Sequence, residues 1–319
     1  MTKTADSRQL AVGRKTPLNN LNSRVLLCSV LLLASVSLCV LLPSRANLKS
    51  DDPKTSAGAS GLLEVGGSGK TSQPSMPAPA EIKIVSYNIR WRGGDELRAL
   101  IEVLRDDTEI GGAAIIGLQE VDRNKERTDC INTARMMAET LGMYYAWAAP
   151  PRAKNDSQED ETGVAVLSRY PLTDVERIVL PHEGPGGRRR VGIGVTARIG
   201  SSDVRVYSLH AETRLAMEKK MEQLGAALGD LNRYPKIKRA VVVGDFNTIK
   251  MKDVEGARRV FSKADFVTPF ADDRATWKTF IIELKLDGFW LRGLEPVNSG
   301  IVRRVKFSDH WPLWATVKL

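Results

Sequence analysis

The sequence predicts a mixed α/β (α+β) domain whose sheets are partly antiparallel and whose helices lie outside the sheets. Short apolar runs typical of strands recur along residues 81–319 and outnumber the segments with helical spacing. The strand-like segments within residues 163–210 follow one another as in antiparallel hairpins. These observations favour mixed or antiparallel sheets over a simple doubly wound fold, and the apolar share of 42% suffices for a sizeable core.

The individual elements follow in chain order. Predicted helices cover residues 95–107, about 130–141 and 212–231. The last of them has the clearest apolar stripe, and we interpret its Met217 and Met221 as core residues. Predicted strands cover residues 82–89, 113–119, 163–168, 191–199, 204–210, 240–245, 286–291 and 311–319.

The amino-terminal part has a membrane-like composition. Residues 25–42 are eighteen consecutive uncharged residues, which as a helix would be about 27 Å long, close to the roughly 30 Å of a bilayer core. Basic residues predominate in 1–24, so the positive-inside rule places this end in the cytoplasm. Two interpretations stay open. An uncleaved signal anchor predicts a membrane-bound protein with an extracytoplasmic domain, whereas a signal peptide, with small residues at Ser44 and Ala46, predicts secretion.

Residues 43–80 are rich in Pro, Gly, Ser, Ala and Thr, a composition that buries too little apolar surface to offset the entropy of ordering. We therefore predict a flexible linker here and a single globular domain over 81–319. Residues 1–80 carry nine Lys/Arg against four Asp/Glu, so much of the net charge of +9 lies outside that domain. The domain is less basic than a dedicated DNA-binding protein, and its lone cysteine excludes an internal disulfide.

Polar residues mark the point where five predicted strands end or begin. Any one of them alone has a simpler interpretation as a turn or cap residue. Five coincident cases, all carboxylate, amide or imidazole, indicate one shared rim. The residues are Asn88 and Arg90, Gln119 and Glu120, His210, Asp245 and Asn247, and Asp309 and His310 just before the last strand.

This combination suits metal-assisted hydrolysis of a phosphoester. Mg²⁺ prefers oxygen ligands, usually one or two carboxylates with waters and substrate oxygens, and Asn88, Glu120 and Asp309 would supply them. Asp245 is placed to accept a proton from a water molecule, and Asn247 to position the group under attack.

The two histidines of the set, His210 and His310, would donate hydrogen bonds or protons to phosphate oxygens. A catalytic histidine needs a fixed tautomer, which a carboxylate commonly sets. Asp287, in the segment KLDGFW, is the candidate partner of His310. For His210 the candidate partner is Glu161.

The ordered motifs YNIRW, GLQEVD, AVLSRYPL, SLHAE, VVGDFNT, KLDGFW and SDHWP resemble those of the endonuclease/exonuclease/phosphatase superfamily, the deoxyribonuclease-I-like fold. The resemblance covers essentially residues 81–319. It implies a four-layer sandwich of two packed mixed sheets flanked by helices, and phosphoester cleavage that depends on Mg²⁺ or Mn²⁺. It assigns Asn88, Glu120 and Asp309 to the metal site, and Asp245, Asn247, His210, His310 and Asp287 to catalysis.

Departures from the family pattern narrow the function. Abasic-site nucleases carry an acidic residue where this chain has Arg90, and a tyrosine in the region of His210, which argues against a role in abasic-site repair. Gly288 replaces the aromatic residue that usually follows the fourth-motif Asp. Arg90 and Arg190 are candidate substrate contacts, and the basic residues 303–306 border the predicted site.

We therefore predict a metal-dependent phosphodiesterase that binds the membrane through its N-terminal segment. A nucleic acid and a phospholipid or small phosphodiester both stay open as substrates, and no protein partner is predicted. The alternative is a non-catalytic binding module that retains the fold. The presence of Glu120, Asp245, Asn247 and His310 favours the enzyme.

Overall fold

The computed structural model describes residues 61–67, 79–152 and 161–319, which lie in one compact unit of the chain. The strands are β1 (Leu63–Gly67), β2 (Glu81–Asn88), β3 (Ile115–Arg123), β4 (Tyr144–Ala148), β5 (Glu161–Ser168), β6 (Leu172–Val179), β7 (Val191–Ile199), β8 (Ser202–His210), β9 (Arg239–Asp245), β10 (Trp277–Thr279), β11 (Ile282–Leu284), β12 (Asp287–Arg292), β13 (Glu295–Ile301) and β14 (Leu313–Lys318). The helices are α1 (Gly94–Asp106), α2 (Thr133–Leu141), α3 (Met217–Leu231) and α4 (Met251–Ser262).

Two mixed sheets form the centre of the domain. The first has seven strands in the order β1–β4–β5–β3–β2–β14–β13, and the second has five in the order β12–β9–β8–β7–β6. In each sheet one inner pair is parallel, β2 with β3 and β8 with β9, whereas the other pairs are antiparallel. The strand pair β10–β11 forms a separate hairpin.

The sheets pack face to face with helices on both outer sides. In β9, Val241 and Val243 enter the core between the sheets, whereas Ala240 and Val242 face α3 and α4. Burial on both faces explains why this strand is a continuous apolar run rather than an alternating one. Helices α1 and α2 cover the outer face of the first sheet. The four-layer sandwich is therefore confirmed.

Local capping fixes the ends of α2. The side chain of Asn132 accepts a hydrogen bond from the backbone N–H of Arg135, and Gly142 ends the helix with a φ of 66°. Asn at the N-cap and Gly after the last turn are the preferred residues at these positions. The predicted helix over 130–141 thus begins three residues later than expected, at Thr133.

The linker prediction for residues 43–80 is wrong at Leu63–Gly67. These residues form β1, an edge strand that pairs with β4 and extends the first sheet. A Cβ atom on Gly66 would lie 2.5 Å from the ring of Tyr145, and one on Gly67 would lie 2.3 Å from the ring of Tyr144. The two glycines are therefore needed because tyrosine rings cross them, and their presence does not indicate a flexible linker.

Several other elements were missing from the sequence-based prediction. They are α4, β4, β6, β13 and the β10–β11 hairpin. The predicted helix 212–231 begins at Met217, and its buried face includes the polar residues Lys220, Gln223 and Asp230. Met221 packs against the core, as expected, whereas Met217 is half-buried and belongs to no core cluster of the described residues.

The apolar segment 25–42 lies outside the described residues, so its interpretation as a signal anchor or signal peptide stays a prediction. Of the helices in the part of the chain that the structure describes, none has the length and hydropathy of a membrane span.

Candidate active site

The two sheets deliver the polar residues to one edge of the sandwich. Asn88 is the last residue of β2, His210 the last of β8 and Asp245 the last of β9. His210 lies opposite Asp245 in the parallel pair, and Asp287, the first residue of antiparallel β12, lies opposite Asp245 on its other side. The expectation that these strand ends share one rim is correct.

A bulge in β3 places Glu120 at this rim. The register with β5 shifts between Gln119 and Val121, and Glu120 has a φ of 54°, which is uncommon for a residue with a side chain. The backbone N–H of Trp91 donates to the carbonyl of Glu120 at 2.9 Å. The bulge therefore directs the carboxylate out of the ladder, towards the end of β2.

Asn88 connects the two sheets at the centre of the site. Its Nδ2 donates to Oε1 of Glu120 at 3.2 Å and to Oδ2 of Asp245 at 3.1 Å. Its Oδ1 accepts from the backbone N–H of Arg90 at 3.0 Å. Because the amide is completely buried, these bonds fix both carboxylates relative to each other.

His310 and Asp287 form the predicted pair. Nδ1 of His310 lies 2.9 Å from Oδ2 of Asp287 and 3.1 Å from Oδ1. This contact orients Nε2 towards Asp245, whose Oδ2 lies 3.7 Å away. Nε2 of His210 lies 3.6 Å from the same oxygen. Asp245 is therefore the point at which both imidazoles meet.

The three buried groups have strongly shifted pKa values. Burial raises the pKa of Asp245 to about 7, with His310 opposing the rise and the charges of Asp287 and Glu120 adding to it. Burial alone would lower the pKa of His310, but Asp287 and Asp245 outweigh it and raise that pKa to about 10. Burial holds the pKa of His210 well below its usual range, and Arg190 acts in the same direction.

Asn247 is held by an arrangement that the sequence did not predict. Its φ is 51°, its Nδ2 donates to the carbonyl of Ala211 at 3.0 Å, and its backbone N–H donates to Oδ1 of Asp245 at 3.0 Å. Below it, the buried Lys220 donates from Nζ to the carbonyl of Asn247 and lies 3.5 Å from Asp253. We interpret Lys220 as a positioning residue, which sequence reasoning missed because it lies in a helix face that was read as apolar.

The remaining residues that the sequence assigned to the site form ion pairs. Asp309 pairs with Arg90 at 3.2 Å. Arg190 pairs with Glu212 at 2.9 Å. The prediction that Glu161 supports His210 is wrong, because Glu161 lies on β5 and binds arginines, among them Arg123 at 3.0 Å.

The donor chemistry of the rim fits a hard divalent cation. Ligand atoms of Glu120, His210 and Asp245 lie within 4.8 Å of one another, and so do those of Asp245, Asp287 and His310. Asp309 belongs to neither group. Three carboxylates, those of Glu120, Asp245 and Asp287, converge here, and the charges of Glu120 and Asp287 add to the rise that burial causes in the pKa of Asp245. A cation with a preference for oxygen ligands would offset that charge.

The chain belongs to the Endonuclease/Exonuclease/phosphatase family, whose sequence model matches residues 85–310. No match was found among curated protein sequences.

Solved structures share the fold at low sequence identity. An endonuclease/exonuclease/phosphatase family protein from Leptotrichia buccalis C-1013-b has a TM-score of 0.57 at 19% identity, covering 75% of this chain and 100% of that chain. TDP2 from D. rerio, complexed with single-strand DNA product, has a TM-score of 0.59 at 16% identity, covering 76% and 100%. The human Nocturnin catalytic domain with bound sulfate has a TM-score of 0.57 at 18% identity, covering 76% and 96%.

Proposed function

We propose that this chain is a metal-dependent phosphodiesterase in which a water molecule attacks the phosphorus of a phosphodiester. The observation that carries the proposal is the convergence of the His310–Asp287 pair, Asp245 and the Asn88–Glu120 link at one rim. Buried carboxylates with shifted pKa values beside two imidazoles are typical of catalytic sites. Membership of the family supports hydrolysis of a phosphoester.

Glu120 would hold Mg²⁺ or Mn²⁺ through its carboxylate, and Asn88 and Asp309 are the other predicted ligands, Asn88 through Oδ1 because its Nδ2 is a donor. The bound cation would stabilise negative charge on the phosphoryl oxygens and on the leaving oxygen. Asp309 pairs with Arg90 in the structure, and both are partly exposed, so a substrate phosphate would compete with Asp309 for Arg90.

Asp245 would act as the general base. Its pKa of about 7 lies close to neutral pH, where the carboxylate is basic enough to take a proton and is still about half ionised. Asn88 and the backbone N–H of Asn247 hold its two oxygens, so the carboxylate has a fixed orientation.

The two histidines would contact the phosphate in different states. His310 carries a proton on both ring nitrogens at neutral pH, because its pKa is about 10, and it can donate from Nε2 to a phosphoryl oxygen. His210 is neutral and would accept or donate one hydrogen bond, depending on its tautomer.

The substrate is a phosphodiester of one of two kinds. A structural neighbour with a single-strand DNA product, and ANGEL2, described as a 2′,3′-cyclic phosphatase and bound to adenosine-2′,3′-vanadate, support a nucleic-acid or nucleotide substrate. A membrane location, which we propose on the basis of residues 25–42, would support a phospholipid headgroup.

The test is product formation by the purified full-length chain. The substrates are single- and double-stranded DNA, RNA, sphingomyelin and bis-p-nitrophenyl phosphate, each with Mg²⁺ and with chelator. We expect hydrolysis of at least one substrate that chelator abolishes and that fresh Mg²⁺ or Mn²⁺ restores.

Two variants separate catalysis from folding. Asp245→Asn should lose turnover, whereas the control Asp265→Asn should keep it, because Asp265 is exposed and has a φ of 61° that asparagine tolerates. Equal turnover in both variants would show that Asp245 is not the base. A folded chain that binds Mg²⁺ but hydrolyses nothing would favour the non-catalytic binding module.

A further inference from the structure

The β10–β11 hairpin presents two large apolar side chains to solvent. Thr279 pairs with Ile282, which leaves Phe280 and Ile281 as a two-residue turn. The side chains of both turn residues are 95% exposed. Ile282, the next residue, is also exposed. Three successive apolar residues at a protruding tip are unusual for a surface that contacts only water.

The stability of the turn does not explain this choice of residues. A two-residue hairpin turn with a positive φ at its first central residue alone favours Gly at that position. Phe280 has a φ of 43°, a conformation that is unfavourable for a bulky side chain. The tip therefore retains phenylalanine at a conformational cost, without any packing contact that burial would provide. Local conflicts of this kind are concentrated at functional positions.

The base of the hairpin is bonded to the candidate active site. The backbone N–H of Lys278 donates to the carbonyl of Asp309 at 2.9 Å, and that of Trp311 donates to the carbonyl of Thr276 at 2.7 Å. Oγ1 of Thr276 accepts from the backbone N–H of Asp287 at 3.0 Å. The tip is thus held in a fixed relation to the rim that carries His310.

A second segment beside the site is also apolar and exposed. Thr248, just after Asn247, donates from Oγ1 to the carbonyl of Lys285 at 2.6 Å, which places this segment alongside the end of the hairpin. Ile249 and Met251, which flank Lys250 in that segment, are both exposed. Exposed apolar side chains therefore stand on two segments that border the same rim.

Basic side chains accompany the hairpin base. Lys278 pairs with Glu283 at 2.9 Å, and the charge of Arg303 also lowers the pKa of Glu283. The guanidinium of Arg303 stacks over the ring of Trp311, 4.8 Å from its centroid. Two cations therefore face one anion at the base of an apolar tip. An apolar tip with cations behind it suits a phase that is apolar inside and anionic at its surface.

We propose that the β10–β11 hairpin inserts Phe280 and Ile281 into the surface of a lipid bilayer and thereby brings the candidate active site to phosphodiester headgroups. A narrow convex tip enters a fluid lipid phase readily, whereas a folded protein partner would have to offer a matching pocket. The uncharged, apolar sequence of residues 25–42, for which we predict a membrane segment, independently favours a lipid partner. Insertion of the hairpin into the bilayer does not depend on the proposed function. The second part of the proposal, that insertion brings phosphodiester headgroups to the site, rests on the proposed phosphodiesterase activity.

Insertion is tested by fluorescence quenching in the full-length chain. Phe280→Trp and Val65→Trp variants are reconstituted with vesicles of phosphatidylcholine and phosphatidylglycerol, with and without brominated acyl chains. Val65 is a matched control because it is 45% exposed and lies on β1, at the other edge of the first sheet from β13. All variants share residues 25–42, so any difference between them reports the hairpin.

We expect brominated lipid to quench the added tryptophan of Phe280→Trp at least twofold, relative to the parent chain, and to leave that of Val65→Trp unchanged. Equal quenching at both positions, or none at position 280, would overturn insertion and leave a protein partner as the occupant of the tip.

A turn-optimised variant tests the link to activity. Phe280→Gly with Ile281→Asn supplies Gly at the position of positive φ and a small polar residue after it, so folding is retained. We expect its hydrolysis of phospholipid in vesicles to fall about tenfold or more, with hydrolysis of bis-p-nitrophenyl phosphate within about twofold of the parent. Unchanged lipid hydrolysis would overturn the presentation of headgroups. Failure of the parent on the soluble substrate would instead count against the proposed phosphodiesterase, whatever the quenching shows.

Discussion

The two histidines of the site have nearly the same position relative to Asp245 but opposite electrostatic surroundings. Their Nε2 atoms lie 3.6 Å and 3.7 Å from the same carboxylate oxygen, and both rings are buried. His310 has Asp287 against its other nitrogen, which raises its pKa to about 10. His210 faces the positive charge of Arg190 instead, and burial keeps its pKa well below the usual range.

The comparison indicates that a second carboxylate, Asp287, distinguishes the two rings, because it raises the pKa of His310 most strongly and Asp245 adds to it. A buried imidazolium needs a partner that offsets its desolvation, and only His310 has a dedicated one. The site therefore combines one cationic and one neutral imidazole over a single carboxylate. The cationic ring can donate to a negatively charged phosphoryl oxygen. The neutral ring adds no further positive charge, which would stabilise the ionised form of Asp245 and make it a weaker base.

Replacing the residue that both histidines share should have the largest effect. In Asp245→Asn the general base is lost, and each imidazole loses the carboxylate next to its Nε2. We expect kcat to fall by about a thousandfold or more, because general-base catalysis and charge stabilisation are removed together. Steady-state kinetics measure the loss, with Asp265→Asn as the folded control. A fall of less than about tenfold would mean that another group takes the proton.

Removing the carboxylate that distinguishes the two rings should have the next largest effect. In Asp287→Asn the pKa of His310 should fall, and we expect activity to decrease about 10- to 100-fold, the usual cost of losing a group that orients a catalytic ligand. Histidine titration by NMR in chelator-treated protein measures the pKa directly.

The same variant has a defined effect on stability. Because the pKa of folded His310 is raised to about 10, its interaction with Asp287 stabilises the fold fully below the unfolded value of about 6.5 and is lost as pH rises through 10. Urea unfolding should therefore show a larger deficit of Asp287→Asn at pH 6 than at pH 10.5. An equal deficit at both values would contradict the ion pair.

The sequence predicted this site better than it predicted the fold around it. A polar residue directly after an apolar run can be seen without coordinates, and the strand-end residues Asn88, His210 and Asp245 do meet. The bulge at Glu120 was not predictable, since it depends on a register shift against β5. The partner of His210 was also predicted wrongly, because Glu161 is far along another strand and its ion pairs with arginine depend on tertiary packing.

Most of the elements that sequence periodicity missed have mixed faces. Helix α4 buries Asp253 and Gly256 together with Val254 and Phe261, so its apolar stripe is interrupted. Strand β6 is an edge strand that is half-buried along most of its length, and β13 is largely exposed. Hydrophobic periodicity detects a helix or strand only where one of its faces is uniformly apolar and buried, so it does not detect elements of this kind.

Metal binding should depend on the ionisation of Asp245, the carboxylate next to both histidines. Its pKa of about 7 is raised by burial and by Asp287 and Glu120, so a nearby divalent cation would favour the ionised form. We expect the affinity for Mg²⁺ to rise about tenfold between pH 6 and pH 8, because the ionised fraction of a group with a pKa of about 7 rises about tenfold over this range. Thermal shift of chelator-treated protein, titrated with Mg²⁺ at both pH values, measures this rise.

The matched control for this dependence is Asp245→Asn, in which the affinity should vary much less between the two pH values. The same rise in parent and variant would show that a different group releases the proton.

Removing the cation beside His210 should produce the smallest effect. In Arg190→Gln the positive charge is lost together with the ion pair to Glu212 at 2.9 Å, and the loss of that charge raises the pKa of His210. Burial, the larger cause, remains, and activity should stay within about threefold of the parent. NMR titration of His210 in Arg190→Gln and in the control Arg189→Gln, which alters the neighbouring exposed pair with Glu183, isolates the contribution of Arg190. If His210 titrates identically in both variants, burial and the positive charge of His310 keep it neutral without Arg190. The contrast between the two rings would then rest entirely on Asp287, and Arg190 would be left to contact substrate rather than to set the charge of the site.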